Sequence, residues 1–258
     1  MKLIFKYLET HLKIILEYKL SFILIVVGQV LQMYIELFVV KSVLEKFNML
    51  NEFPYYEVVL GFSVVWLGFS LAEMLGRGFD HFANLIIKGN FDILLIRPRN
   101  IYLQIFGSDI SYEKLGRVVV ALGLFIYSIT KIVTKFDILK IILIIFMLIG
   151  SFVMIYAILI IGASFCFRSI KDLEFVNIFT NGTRQIGGYP MGIYNKLVKR
   201  VFTFIIPLSL VNYYPLEYLS GRTTNIMYVF MPLLTFILLL ISIYVFNLGI
   251  KHYASTGS

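Results

Sequence analysis

From Ile138 to Phe167 the sequence carries a single charge, Lys140, at the start of an otherwise unbroken apolar run. A helix crosses the hydrocarbon of a bilayer with roughly 20 such residues, and backbone inside lipid must satisfy its own hydrogen bonds. That run therefore fixes the solvent in which the chain folds. Comparable runs lie at about 20–40, 57–78, 115–134 and 225–250. They are continuous rather than alternating, which argues against a transmembrane barrel. Composition agrees: charged residues make up 15% of the 258, against about 25% in soluble domains. The reading is an all-α polytopic membrane protein of one domain.

The net charge of +8 is read as basic loop residues that set orientation, not as a nucleic-acid footprint. Cys166 is the only cysteine; it excludes an internal disulfide and a cysteine-based metal site. The amino terminus shows no short apolar core followed by a small-residue cleavage site, so no cleaved signal is expected.

Residues 1–19 place Lys2, Lys6, Glu9 and Lys13 on one helical face and Ile4, Leu8, His11 and Ile15 on the other. This is the pattern of a helix lying in the membrane interface. In the first span Gln29, Gln32 and Glu36 share a face, which should meet protein or a water-filled path rather than lipid. In the second span Gly61, Gly68, Ala72 and Gly76 form a small-residue arc for close helix packing. Glu73 and Arg77 are four apart, and the spacing predicts an ion pair. It reads either as an interfacial pair ending the helix or as the mouth of a pathway.

The polar interval 80–117 follows. Gly89 breaks the helix, and Pro98 pushes Arg97 out of the α region. Between them Phe91, Leu94 and Leu95 recur at helical spacing, which predicts a short amphipathic helix within 84–100. Lys88, Arg97, Arg99, Lys114 and Arg117 make the interval basic, as cytoplasmic loops are. Asp137 marks a tight turn between spans three (115–134) and four (138–167).

Two placements compete for the fifth span. Charge counting favours Val201–Tyr218, because Arg168, Lys171, Arg184, Lys196, Lys199 and Arg200 would then share one side. The other is 172–190, ending at Tyr189 and Pro190, with 191–224 as a hairpin turning near Pro207 and Pro215. The sixth span, 225–250, should kink at Pro232.

Chemistry-bearing motifs are lacking. There is no Gly-rich phosphate loop, no nucleophile elbow and no histidine pair at metal-ligand spacing. His81 beside Asp80 reads as a solvated helix end. Asn181-Gly182-Thr183 matches a glycosylation acceptor but falls in the membrane or on the inner face.

The stretch Ile87-Lys88-Gly89-Asn90-Phe91-Asp92-Ile93-Leu94-Leu95-Ile96-Arg97-Pro98 resembles the signature of six-span permeases of the type-2 ABC exporter class, in the viologen-exporter-like branch. Tyr189-Pro190, Ile206-Pro207 and Tyr214-Pro215-Leu216-Glu217-Tyr218-Leu219-Ser220-Gly221 resemble that family's later proline pattern. Arg99 departs from it: members usually carry an apolar residue after the Arg-Pro pair. The resemblance implies a non-catalytic permease that binds no cofactor itself. ATP and Mg would be held by two copies of a separate ATPase subunit, and a second permease, identical or related, would complete the membrane part. It implies a cytoplasmic coupling helix contacting the ATPase through Lys88, Gly89, Asp92, Leu94, Leu95, Arg97, Pro98 and Arg99. It also implies re-entrant outer helices after span five, and so selects 172–190 for that span.

Both termini would then be cytoplasmic. Rich Ile, Lys, Phe and Tyr usage points to an AT-rich bacterium and its cell membrane. Three functions follow as expectations: an ATP-driven exporter of an amphipathic small molecule or peptide, a self-protection permease expelling a membrane-active peptide, or a motor-independent membrane protein. Gln29, Gln32, Glu36, Glu73 and Arg77 read as helix contacts or, alternatively, as pathway residues, in which case Glu36 and Glu73 would draw a cationic cargo.

Overall fold

The computed structural model describes residues 2–46, 54–132, 137–168 and 174–254, and every regular element among them is helical. Helix α1 (Lys2–Glu17) leads into α2 (Lys19–Lys46), and α3 (Tyr55–Leu75) returns. Four short helices follow: α4 (Arg77–Asp80), α5 (Phe82–Ile87), α6 (Asn90–Ile96) and α7 (Ile101–Ser108). After a 3-10 turn at Tyr112–Lys114 come α8 (Leu115–Ile132), α9 (Ile138–Phe165) and α10 (Glu174–Gly187). A hairpin of α11 (Lys196–Phe204), α12 (Leu208–Val211) and α13 (Tyr213–Leu219) precedes α14 (Met227–Phe230) and α15 (Thr235–Lys251).

Among the described residues five helices are long and apolar enough to cross a membrane: Lys19–Lys46, Tyr55–Leu75, Tyr112–Ile132, Ile138–Phe165 and Met227–Lys251. The fifth crossing expected at 172–190 falls on α10, whose 14 described residues rise about 21 Å, short of a hydrocarbon core of about 30 Å. Residues 169–173 lie outside the described residues. The competing stretch Val201–Tyr218 is no single helix; it breaks after Phe204, at Pro207 and at Asn212.

Helix α3 is the centre of the bundle. It packs on α8 on one side and α9 on the other, and α15 lies on the far side of α9. Gly68 explains the closeness: a Cβ there would collide with the backbone and side chain of Ser151 on α9, so the small-residue arc serves helix contact. Pro232 sits in a 3-10 turn, Met231–Leu234, that interrupts the last crossing, since proline removes a helical donor.

Helix α1 keeps the face read from its sequence but turns it to protein. Tyr112 Oη donates to the Leu8 carbonyl (2.9 Å), and His11 Nε2 lies 3.2 Å from the Gly107 carbonyl. Phe5, Leu12 and Ile14 on its flank are left exposed.

Candidate functional site

Two constellations stand out: the platform built around α6 at one end of the bundle, and a charged cluster inside it.

The α6 platform begins at Gly89, whose φ of 67° lies in the left-handed region that only glycine enters without cost. Arg97, at φ −76° and ψ 132°, is extended, as a residue before proline must be. The helix between them is pinned by Phe91. Its fully buried ring sits edge-on to Phe82 at 4.9 Å and Tyr253 at 5.1 Å, and beside Phe167 at 5.5 Å. Phe246 of α15 closes the cluster against Phe82 and Phe167. Asp92 lies beside Tyr253. Burial, and then that carboxylate, push the Tyr253 phenol above its usual value.

The loop after α6 is held from beneath. Gln104 is buried, and its Nε2 donates to the carbonyls of Leu94 (3.0 Å) and Arg99 (3.1 Å). Asn100 caps α7, accepting from the amides of Tyr102 and Leu103. Tyr102 Oη donates to Asn247 Oδ1 at 2.9 Å, tying α7 to α15. What α6 shows outward is apolar and basic: Ile93, Leu95 and Ile96, with Lys88, Arg97, Pro98 and Arg99 around them. Leu95, expected on the face of Phe91, is turned out; Leu94 is the half-buried partner.

The second constellation corrects the expected ion pairing. Arg77 Nη1 bonds Asp80 Oδ2 at 2.6 Å, not Glu73. Helix α3 ends at Leu75 and Gly76 breaks it (φ −99°, ψ 9°), so the i,i+4 register between Glu73 and Arg77 is lost. Glu73 Oε2 instead meets Arg117 Nη2 at 2.8 Å and Lys114 Nζ at 3.5 Å. It does so as an ion pair without an aligned hydrogen bond. Lys114 and Arg117, expected as loop charges, thus belong to the bundle. His81 likewise pairs away from its neighbour: Nδ1 contacts Asp109 Oδ2 at 2.8 Å, while Asp80 holds Arg77.

The polar face of α2 joins the cluster. Arg117 Nε donates to Gln29 Oε1 (3.0 Å), Gln32 Nε2 to Glu36 Oε1 (3.0 Å), and Arg184 Nη2 stands 3.6 Å from Glu36 Oε1. Both guanidiniums lie over aromatic rings: Arg184 is 4.9 Å from the Trp66 ring and 5.1 Å from Phe69, Arg117 5.6 and 5.9 Å. Such stacking partly offsets desolvation of the cation. Lys114 and Arg117 thus meet Glu73, and Arg184 meets Glu36, so both carboxylates already face cations of this chain.

Sequence reasoning missed Arg117, Arg184 and Trp66 as members of the cluster. The signal was present in Trp66, the chain's only tryptophan, and in an arginine opening a membrane span. At the hairpin end Arg222 bridges Glu57 (2.5 Å) and Glu217 (3.3 Å). Tyr189 and Pro190 are half-buried where α10 ends, and Pro207 and Pro215 are buried at the two hairpin bends. Asn212 Nδ2 reaches the Gly187 carbonyl at 3.3 Å. No group of three or more His, Cys, Asp or Glu suited to a metal occurs among the described residues.

The α6 platform is thus locked onto the helical bundle, with the charged cluster beside α3. The sequence profile of the family described as ABC-2 family transporter protein matches residues 30–257. The chain belongs to that family. Comparison with curated proteins and with solved structures finds no match. This ABC-2 chain is the permease component of an ABC transporter, a membrane subunit of a kind that is typically non-catalytic and works with an ATPase partner.

Proposed function

We propose that this permease exports an amphipathic cargo across a bacterial cell membrane, driven by two copies of a separate ATPase that dock on α6. ATP and Mg would be held by those partners. A second permease, identical or related, would face α2 and complete the pathway, with both termini on the cytoplasmic side. The observation that carries this reading is the build of α6. Its inner face is fixed through Phe91 to rings from α5, α15 and the segment after α9, and its outer face is an apolar patch rimmed by Lys88, Arg97 and Arg99. Exposed apolar patches with a polar rim mark docking sites. A short helix packed in this way passes on displacement as a rigid body rather than absorbing it.

The test is copurification and transport. The intact chain should bring down an ATPase, and Ile96→Asp, which puts a charge in the patch without touching the core, should abolish both that association and ATP-driven transport in vesicles. An ATPase that stays bound with undiminished transport in Ile96→Asp would remove α6 as the docking element. No associating ATPase at all would remove the exporter reading.

A further inference from the structure

Beside the charged cluster a cleft of about 300 Å³ opens between α2 and α10, lined by Ile35, Glu36, Val39, Phe62, Arg184 and Tyr189 among others. That is the lower end of the range for small-molecule sites, roughly 300–1,000 Å³. Arg184 is 91% buried, the complement of its 9% exposure, and its Nε has no hydrogen-bond partner. Among the described residues its carboxylate contact is Glu36, at 3.6 Å, well beyond the roughly 2.7–2.9 Å of a charge-assisted bond. Glu36 is meanwhile served by Gln32 at 3.0 Å. Arg184 is therefore held in place by Trp66 and Phe69 and only loosely paired with Glu36. A buried guanidinium with so loose a counter-ion is costly at membrane depth.

We propose that this cleft binds the anionic head of an amphiphile. Arg184 takes the carboxylate or phosphate in place of Glu36, and Ile35, Val39, Val40 and Phe62 take the first part of the apolar chain. A bound anion gives the Arg184 guanidinium a closer acceptor than Glu36 provides. A cation would have to displace Arg184 from Glu36 and sit beside its guanidinium. The proposal rests on the exporter reading only in treating the ligand as cargo; the binding itself needs no motor.

Trp66 reports on the site, because the Arg184 guanidinium lies 4.9 Å from its ring and the chain has no other tryptophan. The full chain in phosphatidylcholine vesicles is titrated with dodecanoate brominated at carbon 2, whose bromine lies beside the head and quenches a nearby tryptophan, and with the matching alkyl trimethylammonium brominated beside its head. The anion should quench saturably, and the cation should need far higher concentrations. Arg184→Gln should raise the half-saturating dodecanoate about tenfold or more, the loss of a charged hydrogen bond. Arg184→Lys should recover part of the loss, and Glu36→Gln should lower the half-saturating concentration below that of the unaltered chain. Equal potency of the two probes, or an unchanged half-saturation in Arg184→Gln, would overturn the proposal. Should Arg184→Gln not fold, Glu36→Gln decides alone, because tighter binding is not a product of misfolding; unchanged or weaker binding there also overturns it. A parallel set with phosphatidylglycerol brominated on its acyl chain separates sources. Quenching that depends on Arg184 there identifies a membrane lipid head, and quenching by free dodecanoate alone identifies a soluble amphiphile; either supports the anionic site. Binding that persists when ATP-driven transport is absent sinks the export reading and leaves this one standing, and loss of binding with transport intact does the reverse.

Discussion

The α6 platform and the charged cluster are both held by side chains brought from distant elements, yet by opposite physics. The platform is made of rings in edge contact and of side-chain amides bonded to backbone carbonyls, with few alternatives for any group. The cluster is made of ion pairs of unequal length, from 2.8 Å at Arg117 to 3.6 Å at Arg184, beside a cleft. The first arrangement resists deformation because close-packed interiors cannot collapse around a lost group. The second can exchange partners, because a long-range charge contact has no single geometry. A docking element suits the first construction and a ligand-contacting wall the second.

The comparison is broken most severely by removing one anchor from each. Phe91→Ala leaves a cavity under α6 and should cost about 3–5 kcal/mol. Glu73→Gln leaves Arg117 and Lys114 without their carboxylate and should cost a similar 3–5 kcal/mol. The difference lies in rescue. Adding Arg117→Gln to Glu73→Gln removes the uncompensated cation and should restore much of the thermal stability, since Lys114 lies at the start of its span and can reach the interface. No single second change refills the space of Phe91. Midpoints of thermal unfolding in micelles for the two single variants and the double variant check this. A double variant no more stable than Glu73→Gln would show the cluster to be as rigidly specified as the platform.

Gln104 and Gly89 sharpen the same contrast at smaller size. Gln104→Ala strips the donor from the carbonyls of Leu94 and Arg99 and should cost about 1–3 kcal/mol, loosening the loop after α6 without unfolding the bundle. Gly89→Ala forces a side chain into the left-handed region and should cost about 1–2 kcal/mol. Gln104→Ala should raise protease sensitivity between α6 and α7, and Gly89→Ala between α5 and α6, while the unfolding midpoint moves little. A large fall of the midpoint in either would mean that the loop is part of the cooperative core.

What could be read in the sequence divides along the same line. The spans, the turn at Gly89, the extended Arg97 and the inward ring of Phe91 were legible because each depends on local rules: apolar length, glycine and proline torsions, helical spacing. The ion pairs were not, because their partners come from other helices. Glu73 pairs across to α8, Glu36 across to α10, and His81 with Asp109 beyond the end of α7. A rule that assigns basic residues to loops sent Lys114 and Arg117 to the wrong environment. Gly76 undid the one local pairing that seemed safe.

The smallest expected effect concerns acid. Asp109 lies beyond the spanning helices and is only half-buried. Burial pushes its carboxyl up, but the hydrogen bond and charge of His81, with Arg77 and His11 nearby, outweigh that and hold it below its ordinary value of 3.8. A carboxyl with a lowered folded value adds stability that is fully present above the unfolded value and is lost as pH falls through the folded one. The hydrogen-bond contribution is therefore present above 3.8 and is lost as pH falls through the lowered folded value, where Asp109 takes a proton and releases His81. Asp109→Asn should lower stability slightly at pH 7 and flatten the decline at acid pH, and added salt should shrink the difference because the pair is solvent-screened. Unfolding midpoints measured from pH 3 to 7 in low and high salt read all three features. An Asp109→Asn curve parallel to that of the unaltered chain would show that the His81 contact contributes nothing to holding α4 and α5 against α7, and the rigidity of the platform would then rest on its rings and amide caps alone.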